Sequence, residues 1–256
     1  MVIQERDRQL LRELAVLRVI DREQAKIVGG FGSTTRVNHR LLALTRAGLL
    51  RRFFLGTSAG GTKALYALSA KGALLADVPL RGPQRRKDAT LAADFFVQHQ
   101  LTVNEIYCAL KYRPLPNDVS FHRWLSFFAP IASGIRLIPD GYVELETPSG
   151  PVAAFLEVDL GHERGPVWGQ KIAHYLHFAL MSAPEGEAFH RPFRVLVIAP
   201  SERRVRSIRT VVTGMTEKIF WLASLESIRE RGLFAPVWLR PRGDERLPLV
   251  KEVTIP

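Results

Sequence analysis

The stretch that most restricts the fold runs from Leu137 to Lys171, LIPDGYVELETPSGPVAAFLEVDLGHERGPVWGQK. Side chains alternate across a strand, so Asp140, Tyr142 and Glu144 share one face of a first strand. Thr147-Pro148-Ser149-Gly150-Pro151 is a turn, and Phe155, Glu157 and Asp159 share one face of the strand that follows. A turn centred on Pro148–Gly150 sets Asp140 opposite Asp159 and diagonal to Glu157. Three carboxylates in an otherwise apolar strand pair are costly without a compensating cation. A divalent metal is the usual compensation, and all-oxygen ligands point to Mg²⁺ or Mn²⁺. Pairing with Arg136, Arg164 or Lys171 is the structural alternative.

These residues resemble the signature of PD-(D/E)xK nucleases, in which an Asp ends one strand and a Glu-x-Lys lies on the next. Pro139-Asp140 matches the first half and Glu157-Val158 the second, but Asp159 stands where the lysine is expected. The resemblance implies Asp140, Glu157 and Asp159 as metal ligands, with Glu105 joining them from a preceding helix. It also implies that Lys171, early in the following helix, replaces the missing lysine. Lys171 and Tyr175 are four apart and share a helix face. That spacing resembles the Gln-x-x-x-Tyr of some nucleases, which contacts the phosphate backbone.

The charge of the chain is concentrated elsewhere. Its 256 residues carry a formal +11, and residues 1–87 hold 17 Lys+Arg against 6 Asp+Glu, so the remainder is balanced at 19 of each. So uneven a split is the footprint of a polyanion partner, most often nucleic acid. The same third reads as helices over residues 4–17, 21–29 and 33–47, with Asp21 and Ser33 as N-caps. A hairpin with a Gly-rich tip, GTSAGGTK, and a short helix follow. Three helices and a hairpin in this order resemble a winged helix-turn-helix. Its third helix presents Thr34, Thr35, Arg36, Asn38, His39 and Arg40 to DNA, and Arg51, Arg52 and Lys63 lie on the wing.

The expected organisation is a winged helix over residues 1–78, a basic linker over 79–88 and a PD-(D/E)xK-like domain over 89–256, α+β and α/β in class. The second domain opens on a helix ending near Lys111, with His99, Asn104 and Glu105 as its polar candidates, and FHRWLSFF (121–128) is the first strand. FRVLVIA (193–199) reads as a buried parallel strand. A single cysteine, Cys108, excludes an internal disulfide and a cysteine-based zinc site, and a reducing cytoplasm fits. No apolar run approaches a membrane span.

Taken together, the winged helix, PDGYVELE, FLEVDLG, Lys171…Tyr175, FRVLVIAPSERR and FWLA resemble the replication-relaxation family of bacterial plasmids and integrative elements. The resemblance implies a DNA partner and a role in replication or relaxation of plasmid DNA. Replication or relaxosome proteins and a second copy of the chain are further partners it leaves open. Two functions lead at this point: a Mg²⁺- or Mn²⁺-dependent nuclease or nickase, and a non-catalytic DNA-binding regulator or accessory factor that keeps the nuclease-like fold as scaffold. A winged helix that senses a small molecule through the second domain is a third, without a ligand-pocket signature in the sequence.

Overall fold

A computed structural model describes residues 2–56, 61–81, 90–116, 118–181, 189 and 192–250. The chain is mixed α and β and divides into two compact units, Met1–Arg113 and Pro114–Pro256.

The first unit holds α1 (Glu5–Leu17), β1 (Ile20–Asp21), α2 (Arg22–Val28), α3 (Thr34–Arg46), β2 (Leu50–Gly56), β3 (Thr62–Leu68), α4 (Ala70–Ala76) and α5 (Thr90–Lys111). Leu10, Leu11, Leu14 and Leu17 recur at helical spacing along α1 and are fully buried, as are Val37, Leu41 and Leu44 of α3. Asp21 accepts from the Gln24 amide at 2.8 Å and Ser33 from the Arg36 amide at 3.3 Å, which caps α2 and α3 where expected. The sheet order is β1-β3-β2, antiparallel throughout. Residues 57–60 of the hairpin tip and 82–89 of the linker, with Arg85, Arg86 and Lys87, lie outside the described residues.

The helix α5 corrects the expected domain boundary. It belongs to the first unit, not to the strands that follow it. Asn104 is buried and donates to the carbonyls of Leu17 (3.1 Å) and Val19 (2.6 Å). Gln24 donates to the Leu101 carbonyl at 2.7 Å, and Tyr107 and Lys111 both donate to Glu13. Val97 and Leu101 pack with Val19, Leu55 and Leu65. Asn104 satisfies backbone groups where α1 ends, and buried backbone groups need such partners.

The second unit comprises β4 (Ser120–Leu125), β5 (Gly141–Glu146), β6 (Val152–Val158), α6 (Gly165–Leu180), β7 (Phe193–Ala199), α7 (Glu202–Thr213), β8 (Phe220–Ser224), α8 (Leu225–Arg231), β9 (Trp238–Leu239) and β10 (Arg246–Leu247). Its seven-stranded sheet has the order β10-β9-β8-β7-β6-β5-β4. The strands β4, β5 and β6 form an antiparallel meander, and β6, β7 and β8 run parallel, with α6 and α7 as crossovers. From Val195 to Ala199 the β7 sequence is a continuous apolar run because both faces of that part of the strand are covered. On the α6 and α7 side, Phe155, Tyr175, Phe178, Val195, Val197 and Phe220 form the core, with Trp168 fully buried among them.

Candidate functional site

The strand register brings Asp140 beside Glu157. Gly141 pairs with Leu156 at the end of the ladder, and Asp140, the residue before it, is bonded to Leu156 and Val158, the neighbours of Glu157 on β6. The sequence reading had set Asp140 opposite Asp159, two residues further along. The difference comes from the turn, where Gly150, at φ +103°, donates its amide to Thr147 and tightens the loop. Asp140 is held by its own backbone amide, which donates to Leu156, and by the Val158 amide, which donates to its Oδ2 at 2.7 Å. Gly141 is required beside it, because a Cβ there would lie 2.1 Å from the Trp124 ring.

Glu157 is 1 % exposed, and α6 supplies both its partners. Lys171 Nζ donates to Oε2 at 2.8 Å and the Tyr175 hydroxyl to Oε1 at 2.7 Å. Lys171 also pairs with Glu163 at 2.7 Å. Burial pushes the Glu157 carboxyl up to about 7, against the pull of Lys171 and with the push of Asp140. Burial also works against the Lys171 ammonium, but Glu157 and Glu163 together outweigh it and hold its pKa above the ordinary lysine value. The Lys171 cation is shared between the two carboxylates of Glu157 and Glu163.

Asp159 lies in a different environment. It accepts from Trp168 Nε1 at 2.6 Å and from the Gly161 amide, and Arg204 of α7 pairs with it at 2.6 Å. It is 2 % exposed and joins the end of β6 to the first turns of α6 and α7. Glu144, on the β5 face shared with Tyr142, has its own cation in Arg123 at 2.5 Å. Each of these three buried carboxylates therefore faces a cation supplied by the chain. Among the described residues no group of three or more His, Cys, Asp or Glu side chains converges as a metal site. Glu105 belongs to the first unit.

Sequence reading missed Arg204, Arg123 and Glu163 as partners of these groups. Arg204 sits in PSERR, which reads from sequence only as a helix start, and Glu163 lies in a loop with no pattern around it. Cys108 is buried, and burial pushes its thiol up to about 12, so it is no thiolate nucleophile at neutral pH.

In the first unit, α3 buries one face and exposes Thr35, Arg36, Asn38 and His39 on the other, with Thr34 and Arg40 half-buried. An open groove of about 630 Å³ runs along this face, and Arg6 of α1, Thr35, Arg36 and His39 contribute to its lining. Arg40 also lines the groove, and its guanidinium is tied to α1. Its Nε donates to Asp7 at 2.6 Å, its other nitrogen closes a second bond to the same carboxylate, and it also reaches the Val2 carbonyl at 2.7 Å. Arg51 and Arg52 are exposed on β2, with Arg52 over the Phe54 ring at 5.1 Å, and Lys63 is paired with Asp21.

Residues 8–188 match the model of the replication-relaxation family. The chain belongs to the replication-relaxation family. The match takes in α1 to α6, and so includes Asp140, Glu157, Lys171 and Tyr175; β7 and everything after it lie beyond the matched range. Neither a curated protein nor a solved structure matches this replication-relaxation chain. Among its described residues no helix is long and apolar enough to cross a membrane.

Proposed function

We propose that this replication-relaxation protein binds DNA through its first unit and cleaves or nicks it, with Mg²⁺ or Mn²⁺, at the Asp140–Glu157–Lys171 site of the second. The observation that carries the cleavage reading is the position of Asp140 at the end of β5, held by Leu156 and Val158 on either side of Glu157, and the 2.8 Å contact of Lys171 with Glu157. The meander β4-β5-β6, the crossover α6 and the parallel strand β7 follow the order that the nuclease resemblance implies.

Asp140 and Glu157 are hard oxygen donors. Mg²⁺ is commonly held by one or two carboxylates and completes its shell with water and substrate phosphate, so the pair fits that minimal requirement. Asp159 stays with Arg204 and Trp168 in this reading and is no ligand. The bound metal would activate water and neutralise charge on the scissile phosphate. Tyr175 fixes the orientation of the Glu157 carboxylate, and the Val158 amide fixes that of Asp140. Lys171 supplies the positive charge that Asp159 cannot, from a helix instead of the strand.

The DNA reading is supported by the exposed row Thr35, Arg36, Asn38 and His39 on a helix whose opposite face is fully buried, within the part of the chain that holds the whole charge excess. The order of three helices and a hairpin suits a winged helix-turn-helix, whose recognition helix enters the major groove.

One observation favours the second reading, a non-catalytic DNA-binding accessory factor. Glu144, Glu157 and Asp159 already have Arg123, Lys171 and Arg204, so burial alone does not demand a metal. Incubation of supercoiled plasmid with Mg²⁺ or Mn²⁺ separates the two. Nicking by the wild type that is lost in Asp140→Ala and in Lys171→Ala supports the cleavage site. Tight binding with no cleavage by any of the three assigns the second unit to a scaffold.

A further inference from the structure

In the second unit, buried or half-buried arginines have carboxylate partners as a rule: Arg123 with Glu144, Arg204 with Asp159, Arg209 with Asp244 and Arg246 with Glu202. Two arginines break the rule. Arg194 of β7, Trp221 of β8 and Arg240, the residue after β9, lie side by side across three neighbouring strands. The register follows from Leu196 pairing with Trp221 and Leu222 with Leu239. Leu222 and Leu239 face the core under α6 and α7, so the arginine row lies on the opposite face of the sheet.

The Arg194 guanidinium stands 4.4 Å from the Trp221 ring centroid and that of Arg240 5.1 Å. Both positions favour cation–π attraction, but the ring carries no net charge to cancel two cations. Arg194 has one further partner, the Leu249 carbonyl. Arg240 Nε is buried and has no hydrogen-bond partner among the described residues. No carboxylate pairs with either guanidinium among those residues. Two like charges beside one ring repel, and a buried donor left unmade is costly. Burial and then the charge of Arg240 lower the pKa of Arg194, as expected for a cation lacking its counter-ion.

We propose that Arg194 and Arg240 form a binding site for a phosphate group, seated at the edge of Trp221. Two planar guanidinium forks match a tetrahedral oxyanion that carries up to two negative charges better than a single carboxylate. The phosphate is either free or part of a nucleic-acid strand, and both present the same oxygens to the two forks. This site involves neither α3 nor Glu157, so its failure would leave the DNA-binding and cleavage readings standing.

Titration of the full chain with inorganic phosphate in chloride buffer, followed by calorimetry and tryptophan emission, tests the site. Saturable binding is expected, weakened at least tenfold in Arg194→Met and in Arg240→Met. Trp221→Phe is expected to keep the heat and lose the emission change. Arg240→Lys, which keeps the charge and loses the fork, serves if a methionine variant does not fold; it is also expected to bind more weakly. The absence of saturable heat in the wild type overturns the proposal, as does unchanged affinity in the arginine variants. A short single-stranded oligonucleotide that reverses the phosphate-induced emission change supports a strand-borne phosphate. A signal that persists in its presence supports a free one.

Discussion

Asp159 accepts hydrogen bonds from Trp168 and Gly161 and pairs with Arg204, all within an environment nearly closed to water. A lysine at this position would restore the strand motif of the nuclease resemblance, yet it would face Arg204 and leave the indole without its acceptor. Asp159→Lys is therefore expected to cost stability on the order of 3–5 kcal/mol, as for breaking a buried pair, read as a lower urea midpoint. Recovery of wild-type stability in that variant would refute the role given to Arg204. Glu202 provides the pH dependence at the same scale. Burial disfavours its charge, but bonds from Ser224, Arg246 and Ser227 prevail and hold its pKa below the ordinary value of 4.5. A depressed folded-state pKa contributes stability above the unfolded value, which is lost as pH falls through the folded one. The stability difference between wild type and Glu202→Gln should accordingly be full at neutral pH and shrink below about pH 4.5, where the wild-type carboxylate takes up its proton. A constant difference across urea titrations at pH 3 to 7 would contradict this.

Two arginines one helical turn apart on α3 separate stability from recognition. Arg36 is exposed, whereas Arg40 joins α3 to α1 through the fully buried Asp7. Arg36→Ala should weaken DNA binding with little change in melting temperature, because an exposed side chain in the first turn of α3 has few contacts to lose. Arg40→Met should do the reverse, leaving Asp7 buried and unpaired at a cost of roughly 3–5 kcal/mol. Equal effects of the two changes on both measurements would remove the distinction. At the level of α5, Asn104 ties down the exit of α1, since it donates to the carbonyl of Leu17, the last residue of that helix, and to that of Val19 just beyond it. Asn104→Leu should cost about 1–3 kcal/mol in an unfolding experiment, chiefly from the Val19 carbonyl losing this donor, since the Leu17 carbonyl keeps the Val19 amide.

At the scale of the whole molecule, the place where the chain can be divided differs from the place where its composition changes. Pro, Gly and basic residues cluster over 79–88, but α5 packs on the first unit and the division falls between Arg113 and Pro114. Residues 1–113 hold 19 Lys+Arg and 9 Asp+Glu, so the basic surface stays with the longer fragment. A fragment of residues 1–113 should unfold cooperatively and bind duplex DNA with the steep salt dependence of the full chain, as followed by circular dichroism and fluorescence anisotropy. A fragment ending at residue 88 exposes Val19, Leu55 and Leu65, which α5 covers, and should be less stable. Equal stability of the two fragments would contradict the packing assigned to α5.

Period and punctuation determined much of this protein from sequence. The leucine stripe of α1, the caps Asp21 and Ser33, the strand pair around Thr147–Pro151 and the apolar run of β7 are local patterns, and the structure keeps them. Helical spacing also put Lys171 and Tyr175 on one face, and both meet Glu157. Whatever depended on a partner distant in the chain was decided only by tertiary structure. The turn at Gly150 shifted the register by two residues and gave Asp140 to Glu157. Asp159 met Arg204, 45 residues away, and Arg40 met Asp7, 33 residues away. A buried charge takes the nearest cation in space, and one sequence carries no record of which cation that is.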